Sequence, residues 1–279
     1  MNKRVTIVIP CFNQGIYLAD ALASISSCNP HFAEILIVND GSTDDATKSI
    51  LADLSKKGYR IINQENQGLG AARNAGIRVA TTDYILPLDA DNKIIASFIE
   101  RAVQILDKEP GYSVLYSNAN YFGDKEGILK PGKFNLQRLM LGNYIDACAI
   151  IRRSALLEVG LYDKMEIMGY EDWDLWLKLA FASHGFYYLD ETGFEYRVRK
   201  DSMMKDVNQN RDRQNEIETY FLEKYADKLD FPFVFDHVLY QIKKKPFLFF
   251  THIFLKKYFP SYFARLTGKN KIRKHFIYD

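Results

Sequence analysis

Val5-Thr6-Ile7-Val8-Ile9-Pro10, running on into Cys11-Phe12-Asn13-Gln14-Gly15, sets the architecture. An uncharged, β-branched run of this length reads as a strand buried on both faces, which is the habit of parallel sheets. Working outward, residues 17–27 place Leu18, Leu22 and Ile25 at helical spacing. Glu34–Val38 is a second strand, ending in Asn39-Asp40-Gly41-Ser42, and Thr43 or Asp44 then caps a helix to about Leu54. Arg60–Asn63 is a short third strand, Gly68–Val79 a loop entering a helix, and Tyr84–Leu88 a fourth strand. Short strands alternating with helices predict an α/β fold whose parallel-core sheet is flanked by helices on both faces. Ligands of such sheets bind at the carboxyl ends of the strands. Asn13, Asp40 and Asp89 all fall there.

Beyond this first part, residues 97–108 read as a helix, Ser113–Tyr116 and Asp146–Arg152 as strand-like, and Tyr170–Ser183 as a helix with Trp173 and Trp176 inward. The chain turns polar after Arg197 and becomes helical, aromatic and basic from about residue 215. The expected division is a domain at 1–204, with halves at about 1–92 and 93–204, and a helical extension at 205–279.

The 279 residues are 47% hydrophobic and 26% charged, enough for a substantial core and contrary to global disorder. Net charge is +2, but residues 243–279 hold eight Lys, two Arg and one Asp, a net of +9 against −7 for the remainder. Interleaved with Phe247, Phe249, Phe250, Phe254, Tyr258 and Phe259, these lysines suit a helix lying on an anionic membrane. Packing of the aromatic face on the first domain, or a homodimer interface, is the alternative. No nucleic-acid motif accompanies the basic residues. Three cysteines (Cys11, Cys28, Cys148) show no metal or redox spacing and read as reduced thiols. The apolar run after Met1 is too short for a signal segment, and no stretch nears the ~20 residues that span a bilayer. The expectation is a cytoplasmic protein, soluble or peripheral on the inner face of the membrane.

Tyr84-Ile85-Leu86-Pro87-Leu88-Asp89-Ala90-Asp91-Asn92 carries the chemistry. In an extended backbone Asp89 and Asp91 would face the same side. Two like charges there repel unless a cation sits between them, and Mg²⁺ or Mn²⁺ takes oxygen ligands while leaving places for substrate phosphates. A solvated turn is the competing reading. Asp40 can accept the N3–H of uracil or thymine and Phe12 can stack on the base, while an ordinary core aromatic at Phe12 and a common turn pair at Asp40-Gly41 are the competing readings. Asn66-Gln67-Gly68-Leu69-Gly70-Ala71-Ala72-Arg73-Asn74 brings small residues and a helix start toward an anion. It is not a dinucleotide fingerprint, because Arg73 stands at the third glycine position. Gly169-Tyr170-Glu171-Asp172-Trp173 sets two carboxylates at a helix start beside aromatics on which a sugar can stack. Capping explains the carboxylates equally well.

These five co-linear segments, across roughly residues 4–204, resemble the family 2 glycosyltransferases, which have the GT-A fold. The resemblance implies an inverting transfer from a UDP- or dTDP-sugar to a hydroxyl of a glycan or lipid-linked acceptor. It implies that Phe12 and Asp40 hold the base, with Pro10, Asn13, Gly68, Arg73, Asn74 and Ala90 around the nucleotide. Asp89 would contact ribose or metal, and Asp91 would hold Mn²⁺ or Mg²⁺ on the diphosphate. Asp172 would be the general base, with Glu171 beside it and Tyr170 and Trp173 toward the acceptor. Where the family often has Tyr-Arg-x-His, this chain has Tyr196-Arg197-Val198-Arg199. Arg199 can meet a diphosphate but cannot ligate a metal. A nucleotidyltransferase is disfavoured because the first loop has no Lys or Arg, and a non-catalytic sugar-nucleotide-binding scaffold is the other rival.

Overall fold

The structure, a computed structural model, describes residues 3–29, 31–165, 169–199, 211–228, 254, 255 and 258. It divides into two compact units, one of residues 1–136 with 143–205 and one of residues 137–142 with 206–279. In chain order the larger unit runs β1 (Val5–Cys11), α1 (Gly15–Ile25), β2 (Ala33–Asp40), α2 (Asp45–Lys56), β3 (Arg60–Gln64), α3 (Leu69–Val79) and β4 (Tyr84–Pro87). It continues with β5 (Lys93–Ile94), α4 (Ala96–Lys108), β6 (Tyr112–Gly123) and β7 (Gly127–Leu129). After α5 (Leu136–Leu141), which falls in the smaller unit but for its first residue, come β8 (Ile150–Arg152), α6 (Arg153–Glu158), α7 (Glu171–Phe181) and β9 (Gly185–Val198).

One sheet joins these strands in the order β3-β2-β1-β4-β8-β6-β9-β5, with β7 on β6. The first four are parallel, as the sequence pattern predicts, and β6 pairs with β9 in parallel. Antiparallel β8 enters between β4 and β6, so the whole sheet is mixed. Val5, Ile7 and Ile9 join Leu18, Leu22, Phe98, Ala102 and Leu106 in one core. Val8 faces the opposite way, against α3, where a Cβ on Gly76 would lie 2.4 Å from Val8 Cγ1. This close approach fixes the helix on the sheet.

Asp44 caps α2, its side chain accepting from Thr47 N at 2.7 Å. Pro10 lies inside β1, a place where a proline usually argues against a central strand. The carbonyls of Arg4 and Val8 accept from Tyr84 and Leu88 of the β4 segment. Pro10, on the same side of β1, comes after β4 has stopped pairing, so its missing N–H breaks no ladder bond. The β1–β4 pairing ends at Val8 and Pro87, and the candidate site lies at these strand ends.

Several expectations shift. The strand expected at Asp146–Arg152 begins only at Ile150, because Asp146 accepts from Cys148 N (2.9 Å) and bends the chain. Trp176 is fully buried, but Trp173 is only half-buried against Tyr170. β9 has no counterpart in the sequence reading. The smaller unit contains α8 (Arg211–Lys224), with Phe221 and Tyr225 stacked. No helix among the described residues is long and apolar enough to cross a membrane. Apart from Phe254, Leu255 and Tyr258, the basic aromatic tail at 243–279 lies outside the described residues.

Candidate active site

Asn13 follows β1 with φ of 55°, in the left-handed region that asparagine tolerates. Its Oδ1 accepts from Thr43 N (2.8 Å) and Asp44 N (3.1 Å), and its Nδ2 donates to Thr43 Oγ1 (3.0 Å). Its own N–H donates to Ser42 Oγ at 3.1 Å. Asn13 is thus a staple between the ends of β1 and β2. Phe12 beside it is 42% exposed. Asp40 is buried at the end of β2. Its Oδ1 accepts from Gln64 Nε2 (2.7 Å) and Gln67 N (2.9 Å), and its Oδ2 from Gly68 N (2.9 Å). A carboxylate accepts about four hydrogen bonds, so Oδ2 keeps capacity for a base N–H.

Gly68 precedes α3 with φ of 90°, a conformation that strains any side chain. One turn into the helix, buried Arg73 donates Nη2 to Asp89 Oδ1 at 2.7 Å and lies 5.5 Å over the Tyr162 ring. Burial opposes its charge, but Asp89, Tyr162, Asp172 and Glu171 outweigh burial and hold the guanidinium charged. Asn74 exchanges two hydrogen bonds with the Tyr162 backbone, 2.7 and 2.9 Å. It braces the wall behind Arg73.

Asp89-Ala90-Asp91-Asn92 is a turn closed by Asn92 N donating to Asp89 O at 3.0 Å, rather than the extended strand end expected. The carboxylates still share an environment. Burial first, then Asp89, pushes the Asp91 carboxyl up to about 6 despite Arg199 Nε at 3.2 Å from its Oδ2. The end of β9 grips the same turn. Arg197 N donates to Asn92 Oδ1 (2.9 Å) and Arg197 Nε to Asp91 O (3.0 Å). Arg199 therefore occupies Asp91 directly.

At the start of α7, Asp172 Oδ1 accepts from Trp173 N and Oδ2 from Asn143 Nδ2, both at 2.9 Å. Burial, reinforced by Asp146 and Glu171 and opposed by Arg73, raises its carboxyl to about 7. Buried Glu171 accepts from Gly169 N at 2.8 Å and packs near Gly70 of α3. Tyr170 and Trp173 stand with ring centroids 6.0 Å apart. Two groups escaped the sequence reading. Asp146 is raised to about 7, first by burial and then by the charge of Asp89. Asn143 holds Asp172. Neither lies at a strand end or a helix start, so no periodic signal marks them.

Among the described residues, no group of three His, Cys, Asp or Glu side chains forms a protein-only metal cage. Two carboxylates on one turn, with Asp91 pushed up by burial and then by Asp89, nonetheless fit a hard cation. Mg²⁺ characteristically takes one or two carboxylates and completes its shell with substrate phosphates and water.

The chain is 28% identical over 228 residues to the glycosyltransferase GlyA of Streptococcus pneumoniae, covering 74% of this chain and 32% of that one. It is 27% identical over 279 residues to the uncharacterized glycosyltransferase RP339 of Rickettsia prowazekii, covering 92% and 82%. The chain spans less than half the length of several curated relatives it matches. Residues 1–349 of Staphylococcus aureus TarS superpose with a TM-score of 0.64 at 15% identity, covering 97% of this chain and 76% of that one. The same fragment with UDP-GlcNAc gives 0.61 at 18%, covering 72% and 60%. These two likenesses concern the fold, which is that of the GT-A-type enzymes. Residues 6–160, more than half of the sequence, match glycosyl transferase family 2, and the chain belongs to that family.

Proposed function

We propose that this chain is an inverting glycosyltransferase that moves a hexosyl or N-acetylhexosaminyl group from a UDP- or dTDP-sugar to a hydroxyl of a glycan or lipid-linked acceptor in cell-surface polysaccharide synthesis. The observation that carries this reading is Arg73: one buried guanidinium is paired to Asp89 of the turn and feels Asp172 and Glu171 of α7. Diphosphate chemistry and proton transfer thus share one centre.

In this reading the base stacks on Phe12 and donates its N3–H to Asp40. Asp172 takes the proton of the acceptor hydroxyl as that oxygen bonds to sugar C1. The bond from C1 to the diphosphate oxygen breaks, and the electron pair leaves with UDP. Arg73 and Arg199 stay charged beside the departing group. A Mn²⁺ or Mg²⁺ ion held by Asp91 and Asp89 would neutralise the diphosphate. A single in-line displacement inverts the anomeric centre, so retention of configuration in the product would exclude this mechanism. TarS residues 1–349 were crystallised with UDP-GlcNAc, which supports a nucleotide-sugar donor and makes UDP-GlcNAc the first one to try.

The test is release of UDP or dTDP from a panel of nucleotide sugars, with Mn²⁺ and with EDTA. Metal-dependent release from one donor supports the reading and names the sugar. Measurable UDP binding with no release from any donor, even with mixed glycan acceptors, favours a sugar-nucleotide-binding protein. Attachment of residues 243–279 to an anionic membrane belongs to the same proposal, and sedimentation with phosphatidylglycerol vesicles checks it.

A further inference from the structure

Asn143 opens the segment leading into β8, and both ends of its amide are assigned. Oδ1 accepts from Ile145 N at 3.2 Å, and Nδ2 donates to Asp172 Oδ2 at 2.9 Å. One turn further along α7, Trp176 Nε1 donates to Ile145 O at 3.0 Å. The segment is therefore fastened to α7 at two points, and its backbone dictates which edge of the Asn143 amide faces the carboxylate. Asp172 Oδ1 is held by Trp173 N. With one N–H on each oxygen, the carboxylate is fixed in rotation and keeps lone pairs for an incoming hydroxyl.

The charged groups around Asp172 are Arg73, Asp146 and Glu171. An amide suits this place better than another cation would. A hydrogen bond to the charged form favours that form, while a second cation would lower the basicity that proton abstraction needs. We infer that Asn143 is a positioning residue for the general base, holding the Asp172 carboxylate aimed and ionised for proton abstraction from the acceptor. This rests on the glycosyltransferase reading above.

The substitution Asn143→Asp separates this role from loop shaping. It keeps an Oδ1 able to accept from Ile145 N and replaces the donor toward Asp172 with a like charge. With UDP-GlcNAc and Mn²⁺ as the probe, UDP release should fall at least ~10-fold in kcat with donor KM within ~2-fold. The acid limb of the pH profile should move up by about one unit, and Asn143→Gln should recover part of the loss. Native-like kcat and pH profile in Asn143→Asp, with Asn143→Ala impaired, would assign Asn143 to loop shape alone and overturn the inference. Full activity in Asp172→Asn would instead overturn the base assignment, whatever Asn143 does. A double-mutant cycle of Asn143→Ala and Asp172→Asn in denaturant unfolding needs no turnover. The coupling should be larger at about pH 8, where Asp172 is charged, than at about pH 5. Additive effects at both pH values would refute the contact's role.

Discussion

As the proposed general base, Asp172 must be charged to accept a proton, and its surroundings set the pH at which that happens. Burial raises its carboxyl to about 7, with Asp146 and Glu171 adding to the rise and Arg73 opposing it. A base is effective when its pKa lies near the working pH. The expected outcome is a kcat/KM for UDP release that climbs about tenfold per pH unit below about 7 and levels off above, because only the carboxylate accepts the proton. Asp172→Asn should lower kcat by roughly 10²–10⁴ and flatten that limb, with UDP affinity retained in calorimetry. A profile with the same limb in Asp172→Asn would move the base elsewhere. At this scale Asp40, Asp89, Asp91 and Asp172 were legible because each sits where a strand ends or a helix starts. Asn13 and Asn74 are candidates from their place in the sequence, but their amides are taken up by Thr43, Asp44 and Tyr162, pairings that spacing alone does not reveal. Asp146 and Asn143 lie on a loop whose path depends on a local bond from Cys148 N to Asp146 and on Trp176, which is distant in sequence though close in space.

Two elements hold the parts in register. α3 seats on β1 through Gly76, where a methyl group would meet Val8 at 2.4 Å. Gly76→Ala should destabilise the chain by about 1–3 kcal/mol through overpacking. It should also weaken UDP binding, since the displaced helix carries Gly68 and Arg73. Denaturant titration beside UDP calorimetry reads both, and unchanged UDP affinity would show that the helix start adjusts independently. β9 is the second holder. Arg197 is bonded to the Asp91 carbonyl and to Asn92, lies 5.0 Å over Tyr17 and 4.4 Å over Phe122, and pairs with Asp20 at 2.5 Å. If the turn holds the metal as proposed, Arg197→Ala should loosen it and lower Mn²⁺-dependent UDP affinity roughly 10-fold, as loss of supporting contacts around a metal site does. Asp20→Asn, which leaves the contacts to the turn in place, should change it little. The strands β1, β2 and β4 could be read directly from continuous apolar runs. β9 could not, because Asp190-Glu191-Thr192-Gly193 interrupts its alternation where its register with β6 shifts, and Gly193 is needed there to clear Ser117 Oγ.

Across the larger unit, the site gathers more acid than base, and that excess sets how stability responds to pH. Asp91 is raised to about 6, and Asp146 and Asp172 to about 7, in each case by burial first. In the unfolded chain each titrates near ~3.9. Between about pH 4 and pH 7 the folded chain therefore binds more protons than the unfolded one. Stability is highest at the acid end of that window and is lost as pH rises through the folded values. Asp44, Asp107 and Asp190 are shifted downward, chiefly through hydrogen bonds to their charged forms, so their opposite contribution falls below this window. The midpoint of thermal unfolding should decline from about pH 5 to about pH 7.5, against the usual rise of stability from acid toward neutral pH. Asp146→Asn should flatten that decline, because it removes one buried acid without removing Arg73 or the turn. Mn²⁺ with UDP should restore more stability at about pH 7.5 than at about pH 5, since the ligand binds the ionised carboxylates of the folded state. A midpoint that rises through this window in the absence of ligand would mean that the three carboxyls are already compensated in solution. The same excess is met only in part by the arginines: Arg73 pairs with Asp89 and Arg199 with Asp91, and Arg73 only partly offsets Asp146 and Asp172, whose carboxyls stay raised.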